Sequence, residues 1–513
     1  MSRALALLAL AVACSKPMAR PDRTPPLAAE GPEAAAAEAA RTDGPGLSRE
    51  EMIEHVLSRA TFGPRPRDRE RVARIGVAAF LEEQLHPERL DDGAATQRLE
   101  AYPVLRRDSR SLVRELVEMR QMKKEGAASG MVRPGLDFVG QLAAAKVVRA
   151  TLSERQLQEV MADFWFNHFN VFAGKETEAA LVPEYDALIR ANALGSFPEL
   201  LAATAHSAAM LVYLDNWRSQ VRAGINENYA RELLELHTLG VEGGYSQADI
   251  VEVARCFTGW TIVKPREDPS FVFRPRMHDF GAKRVLGHVL PAGGGERDGD
   301  EVLRLLAEHP STARFIAGKL VRRFVSDDPP ETLVTRVAAT YARTGGDIRS
   351  MLRTIFEAPE MWSRKALKAK VRSPLEHVAA SVRALDASVA DPQALVRAIG
   401  RIGEPLYAAQ PPTGYGDTAQ SWLASGALLA RIDFGLQLAN GQLPGVKIDL
   451  RGLGDGDPEV LVANVARQLG AGELSDRTRD HVLRELRSSP PRVDIQAARA
   501  VGLLLGAPEV QRR

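Results

Sequence analysis

Ser48-Arg-Glu-Glu-Met-Ile-Glu-His-Val-Leu-Ser-Arg-Ala-Thr-Phe-Gly63 reads as one helix with both ends marked. Ser48 and Glu51 stand at capping-box spacing, so each side chain can satisfy an amide that the first turn leaves unpaired. Ile53, Val56, Leu57 and Ala60 follow at i, i+3, i+4 and i+7, which puts them on one apolar stripe. Phe62-Gly63-Pro64 ends the pattern. The same grammar recurs outward from this stretch. A second helix is expected from Arg67 through Ile75 to Leu85. Leu157, Val160, Met161, Phe164 and Trp165 make a further stripe, and Pro198 suits the first turn of a helix running through Met210 to about Asp215-Asn216. Ser246 and Asp249 form a second capping box before Ile250, Val253 and Phe257. Ala313, Ile316, Leu320 and Phe324 repeat the spacing, as do stretches near 331–342, 347–357, 374–386, 457–469 and 476–488. Strand signals are confined to Trp260–Val263, Phe271–Phe273 and Lys283–Leu286, separated by turn residues. The expected fold is predominantly all-α, with a small antiparallel β insert near 260–286. Ile355-Phe-Glu-Ala-Pro-Glu360 echoes Leu504-Leu-Gly-Ala-Pro-Glu509, as if one helix-turn unit were used twice.

The chain has 513 residues, with 67 basic and 66 acidic side chains and 45% hydrophobic content. A net charge of +1 supplies no basic face for nucleic acid. No stretch reaches the ~20 apolar residues needed to span a bilayer. Two cysteines cannot staple a chain of this length, so the fold depends on its own core. Residues 1–13 carry one positive charge, an apolar run from Ala4 and small residues at the end, which is the pattern of a secretory signal peptide. Ala11-Val-Ala-Cys14 resembles a bacterial lipobox, making Cys14 the expected lipidation site, with an ordinary cut near Ala13 as the other reading. Ser15 then favours the periplasmic side of the outer membrane or the cell surface. Residues 14–47 are rich in Pro, Ala, Gly and Glu and are expected to be a flexible tether. A helical body over 48–445 and a C-terminal helical subdomain over 446–513, packed on that body, complete the expected domains. Cys256, beside Val253 and Phe257, reads as a small buried hydrophobe.

Asn226-Glu-Asn-Tyr-Ala-Arg-Glu-Leu-Leu-Glu-Leu-His-Thr-Leu-Gly240 resembles the central motif of the bacterial family called domain of unknown function 1800. Trp165-Phe-Asn-His168, Leu214-Asp215-Asn216, Thr258-Gly-Trp260, His278-Asp279 with Lys283, His55 through Pro64, and Lys370-Val-Arg-Ser-Pro374 fit the same family in the same order. The resemblance covers about residues 50–445 and, through Ala507-Pro-Glu509, extends toward the end. It implies an exported bacterial protein, often encoded beside a second exported family that looks like alkaline phosphatases and sulfatases. At Pro411-Pro-Thr-Gly-Tyr415 the chain departs from the family's usual Gly-Trp.

Candidate chemistry falls between residues 165 and 283. At about 100° per residue, Asn228, Arg231, Glu232 and Glu235 share one helix stripe. Two carboxylates so spaced can share a metal or divide acid and base work, with Arg231 holding one ionised. The same stripe also reads as a solvated face with Arg231 paired to Glu227 and Glu235. His237, about 140° round from Glu232, is a poor co-ligand by that geometry. His168 continues an apolar stripe, which suits either a core histidine or a ligand, and Asn167 and Asn170 lie beside it. His206, among alanines, reads as structural. His278-Asp279 sits in a turn or strand context unlike the helical His-Asp phosphohydrolases, yet as a loop dyad it can supply a ligand or a base. Gly293-Gly-Gly-Glu-Arg-Asp-Gly299 lacks the Lys of a phosphate loop and reads as a flexible surface loop. No Cys-x-x-Cys, His-Glu-x-x-His or Gly-x-Ser-x-Gly pattern occurs.

Two functions are consistent with these residues. One is an exported, metal-assisted hydrolase of an envelope or extracellular polymer. Its catalytic groups are Glu232, Glu235, Arg231 and Asp279, and its divalent-metal ligands His168, His278, Glu232 and Glu235. The alternative is a non-catalytic helical lipoprotein, held to the membrane by its lipid, that docks a secreted phosphatase- or sulfatase-like partner.

Overall fold

Capped, amphipathic helices dominate the computed structural model, which describes residues 28, 31–43, 46–125, 134–454, 457–488 and 492–513. Cys14 and the signal stretch lie outside the described residues. Both expected capping boxes are formed: Ser48 caps Arg49–Ala60 with Glu51, and Ser246 caps Gln247–Cys256 with Asp249. A third, Ser373 with Glu376, opens Pro374–Ala384. Helices expected as single elements are broken where the backbone must turn. Pro66–Ile75 and Val77–Leu85 are separated at Gly76, whose φ of 87° lies in the region glycine alone enters freely. Phe197–Ala205 and Ala208–Tyr213 are separated at His206 and Ser207, the latter capping the second helix.

The long helix Pro134–Leu152 is the hub of the body. It packs against Gln156–His168, Glu176–Asn192, Pro374–Ala384 and Gln393–Ile402, four elements spread over nearly half of the sequence. Their apolar faces merge into one continuous core running from the first helices to Val510. Trp165, fully buried, anchors it, its indole N–H donating to Ala193 O at 3.0 Å. Buried tryptophans need such a partner, because an unpaired indole N–H loses its hydration without return.

The β component is smaller and more divided than one insert. Trp260–Lys264 pairs with Asp268–Phe273, and Lys283–Val285 pairs with His288–Leu290, each a separate antiparallel hairpin. A third pair joins Ser388–Val389 to Val446–Lys447. The C-terminal helices do not stand apart. Val493–Leu505 packs along Ser425–Ala439, and the last residues pair with the strand-like segment before Pro374: Arg513 N–H donates to Lys370 O at 2.9 Å and Arg372 N–H to Gln511 O at 2.9 Å. The echo between 355–360 and 504–509 is structural: each is a helix end followed by a short helical turn, Pro359–Trp362 and Pro508–Gln511.

The segment expected to be a flexible tether contains a helix, Gly31–Asp43, lying against Pro359–Trp362 with Ala35, Ala36 and Ala39 buried. Its alanines are strong helix formers, and their small side chains let the helix approach the body closely. Among the described residues no helix is long and apolar enough to cross a membrane.

Candidate functional site

The charged stripe of Asn226–Gly240 begins as the helix Asn228–Glu232 and then widens into a π-helical turn over Leu233–Thr238, in which Leu239 N–H reaches Leu234 O at 2.9 Å. Turns of this kind are rare and cluster at functional sites. This one separates the motif's polar groups. Arg231 lies 3.4 Å from Glu227 and 3.8 Å from Glu235 along a partly exposed face. Glu232 is half-buried; burial, then the Glu235 charge beside it, raises its carboxyl above the usual range. His237 turns inward and is buried against His168, their ring centroids 6.1 Å apart.

His278 and Asp279 belong to a different cluster. One ring nitrogen of His278 contacts Thr258 O at 2.7 Å and the other meets Asp298 Oδ2 at 3.1 Å. Lys283 Nζ reaches the same Asp298 oxygen at 2.7 Å, and both His278 and Lys283 have fully buried side chains. Asp279 is gripped by Arg255 Nε at 2.8 Å, a hydrogen bond that holds its carboxyl below the usual range. Asp298 comes from the glycine-rich stretch expected to be a flexible surface loop. Instead Gly299 lies against the Trp260 indole, and the helix Arg297–Glu308 starts there.

The structure does not bring the residues of the expected metal centre together. Among the described residues no three His, Cys, Asp or Glu side chains form a group that could hold a metal ion. His278 has both ring nitrogens engaged, Asp279 is tied to Arg255, and Glu232 and Glu235 face Tyr213 and Tyr245 rather than either histidine. Of the proposed ligands, His168 lines the charged cavity between the helices, and Glu232, Glu235 and His278 do not. Cys256 is buried and unpaired, and burial pushes its thiol up to about 12, consistent with a small core residue.

The cavity, of about 280 Å³, is built from segments distant in sequence. Gln156–His168 contributes Asp163, Asn167 and His168; Pro134–Leu152 contributes Lys146; Pro310–Phe324 contributes Lys319, Arg322 and Arg323. The rest of the wall comes from the stretch Glu404 to Trp422, together with Val371, Ser373, Glu376 and Arg513. That stretch is fastened by the Trp165–Asn170 motif. Asn167 pairs with the Tyr415 backbone in both directions, its Nδ2 donating to Tyr415 O at 2.8 Å and its Oδ1 accepting Tyr415 N–H at 2.7 Å. Asn170 Nδ2 donates to Ala409 O and Pro411 O, both at 2.9 Å. Gly414 has φ 68°, and a Cβ there would stand 2.4 Å from Asn167 O, so the close approach requires glycine. Tyr407 takes a left-handed φ of 61° although it is not glycine. It is held there by Ala173 N–H donating to its carbonyl at 2.9 Å and by its own hydroxyl on Asp186 at 2.8 Å. Such strain persists only where surroundings over-determine it, commonly at sites that work.

Charge fills the walls. Lys146 Nζ sits 2.6 Å from Asp163 Oδ1 and 4.9 Å over the Tyr407 ring. Burial opposes its charge, but Asp163 and Asp186 hold the Lys146 ammonium above its ordinary value. Glu376 is shared by Arg323 and by Arg513, whose Nε lies 3.2 Å away. Glu404 is buried, and its Oε2 accepts Leu375 N–H at 2.8 Å. Burial, and then the nearby Asp163 charge, push its carboxyl up to about 8. Burial also raises Asp417 against the pull of Lys370 and Arg323. On the facing helix burial brings Lys319 down to about 8, with Asp417 opposing and Arg322 assisting. A carboxyl that burial disposes to keep its proton, beside one paired to lysine, is an arrangement that can divide acid and base work.

Sequence reasoning singled out His168, as a core histidine or a metal ligand, and the structure places it at the cavity wall; it did not single out Lys146, Asp163, Lys319, Glu404 or Asp417. The departure at Pro411–Tyr415 was the visible pointer, since that loop closes the cavity. The family profile described as protein of unknown function (DUF1800) matches residues 55–512. No curated protein and no solved structure matches the chain.

Proposed function

The chain belongs to the DUF1800 family of proteins of unknown function, and from the cavity we propose that it is an enzyme: an exported, lipid-anchored hydrolase using acid–base chemistry on a small polar group of an envelope or extracellular polymer. The observation that carries the reading is the position of Glu404, a buried carboxyl in the wall of a charged cavity, where burial and the nearby Asp163 charge push it up. Glu404 gives its proton to the departing oxygen as that bond breaks, and Asp163, whose charge raises it, takes a proton from the water whose oxygen forms the new bond. Export and lipid attachment rest on residues 1–14, and incorporation of labelled palmitate by the wild type but not by Cys14→Ala tests them.

A panel of chromogenic glycosides and esters, together with envelope polymers, tests the reaction. Turnover should fall as pH rises through about 8, where Glu404 loses its proton, and Glu404→Gln should remove it at least a hundredfold, within the usual range for a general acid. Glu232→Ala with His278→Ala should leave it. Full activity in Glu404→Gln, or its loss only in the double variant, sinks this reading.

One observation favours docking instead. Leu429 is 69% exposed on the helix Ser425–Ala439, beside the exposed Leu428, Ile432 and Leu423. Such an apolar ridge suits a secreted protein partner. Recovery of one stoichiometric partner from envelope extracts, lost in Leu429→Glu, with no turnover by the purified chain, supports the scaffold over the enzyme.

A further inference from the structure

The cavity's acids and bases do not balance. Asp163 is paired with Lys146, Glu376 with Arg323 and Arg513, and Asp417 lies 3.7 Å from Lys370. Lys319 has no carboxylate within ion-pair distance among the described residues, and its ammonium rests 5.5 Å from the Phe315 ring centroid. Among the described residues Arg322 makes a single hydrogen bond, Nε to Asp327 O at 3.3 Å. Phe315, Lys319 and Arg322 recur at i, i+4 and i+7 along Pro310–Phe324, so one helix face presents both cations to the cavity.

Across from them stands His168, 3% exposed. Its Nε2 lies 3.1 Å from His237 O, and a carbonyl can only accept, so the proton is on Nε2. Burial, then the Lys319 and His237 charges, keep the ring neutral by lowering its pKa well below the ordinary value. Nδ1 is therefore a bare acceptor, buried and without a partner. Phe315 links the two sides: its ring is 6.2 Å from that of His168. Tyr415 and Trp422, ring centroids 6.1 Å apart, form an aromatic wall of the same cavity.

We infer that the cavity holds a carboxylate-bearing sugar unit, its carboxylate on Lys319 and Arg322 and a neighbouring hydroxyl donating to His168 Nδ1. A cation pair with no carboxylate in ion-pair contact among the described residues selects an anionic oxygen group, the lone pair beside it selects an adjacent O–H, and the aromatic wall suits a sugar ring. The small volume admits one such unit. This rests on the acid–base reading above and names its substrate as an acidic polysaccharide; binding, however, is measured without turnover, so the two can fail separately.

Calorimetric titration of the full chain with D-glucuronate, D-glucose and D-glucose 6-phosphate tests it. Glucuronate should bind at least tenfold more tightly than glucose. Lys319→Met should lose at least tenfold, Lys319→Arg should retain binding, and the His168 Nδ1 nitrogen resonance should shift when glucuronate is added. Equal affinity for glucose and glucuronate, unchanged binding in a folded Lys319→Met, or a fixed Nδ1 resonance overturns the inference. Tighter binding of glucose 6-phosphate overturns the carboxylate and reassigns the subsite to phosphate.

Discussion

Glu404 shows how one residue can trade stability for chemistry. In the unfolded chain it titrates near 4.5, whereas in the fold burial and Asp163 push it up to about 8. A folded value raised above the unfolded one means that the group favours folding at low pH and opposes it progressively as pH rises between those values, by at most about 1.4 kcal/mol per pH unit. Glutamine cannot ionise and still accepts Leu375 N–H. Glu404→Gln should therefore match the wild type in thermal stability near pH 4.5 and exceed it increasingly up to pH 8, with the gap constant above. Thermal melts across that range check this, and a gap independent of pH would mean that Glu404 is not held protonated. Gly414 carries a simpler cost. Gly414→Ala forces a left-handed alanine, about 1–2 kcal/mol in itself, and drives a methyl into Asn167. Its melting temperature should drop by several degrees, and loop 405–418 should exchange its amides faster while the hub helix does not.

At the scale of elements, what was legible depended on how local the cause was. Capping boxes at Ser48 and Ser246, and stripes such as Ile53–Ala60, announced their helices because cap and stripe lie within a few residues. The breaks at Gly76 and His206 were hidden, since the apolar spacing runs on across them while the backbone turns to follow the core. The π turn at Leu233–Thr238 was hidden for the same reason: the residues obey helical spacing, and only packing of His237 against His168 reveals the extra residue in the turn. Asp163 and Glu404 are 241 positions apart in the sequence and interact only because Pro134–Leu152 and Gln156–His168 meet the chain's later half, so no local pattern could join them. The Trp165–Asn170 motif was visible, but its task, clasping 409–415 through Asn167 and Asn170, needed coordinates. Asn167→Ala should uncouple helix from loop. Removing two hydrogen bonds to one backbone residue is expected to cost about 1–3 kcal/mol, measured by urea unfolding, with Asn167→Asp recovering only the bond from Tyr415 N–H.

Across the whole molecule, four of the ten histidines are spent as neutral core residues. His55 and His237 are pushed down to about 3, mainly by burial, and His168 and His377 well below their ordinary value. Arginines crowd the same interior: Arg59 is the second cause at His55, and Arg431 and Arg372 act on His377. A folded value depressed below the unfolded 6.5 means that the unfolded chain takes up protons first. Stability is then complete above pH 6.5 and falls as pH drops, by up to about 1.4 kcal/mol per pH unit for each such histidine. Four together make the chain acid-sensitive well before its carboxylates titrate. Urea midpoints should hold steady from about pH 8 to 7 apart from the opposing slope of Glu404, then decline steeply toward pH 5. His55→Gln isolates one contributor away from the cavity: glutamine keeps a donor for Met361 O, which His55 Nε2 meets at 2.8 Å, and takes up no proton. Its decline between pH 6.5 and 5 should be shallower by one proton's worth. An identical slope in the variant would mean that His55 is already charged in the folded chain, contrary to the burial that defines this core.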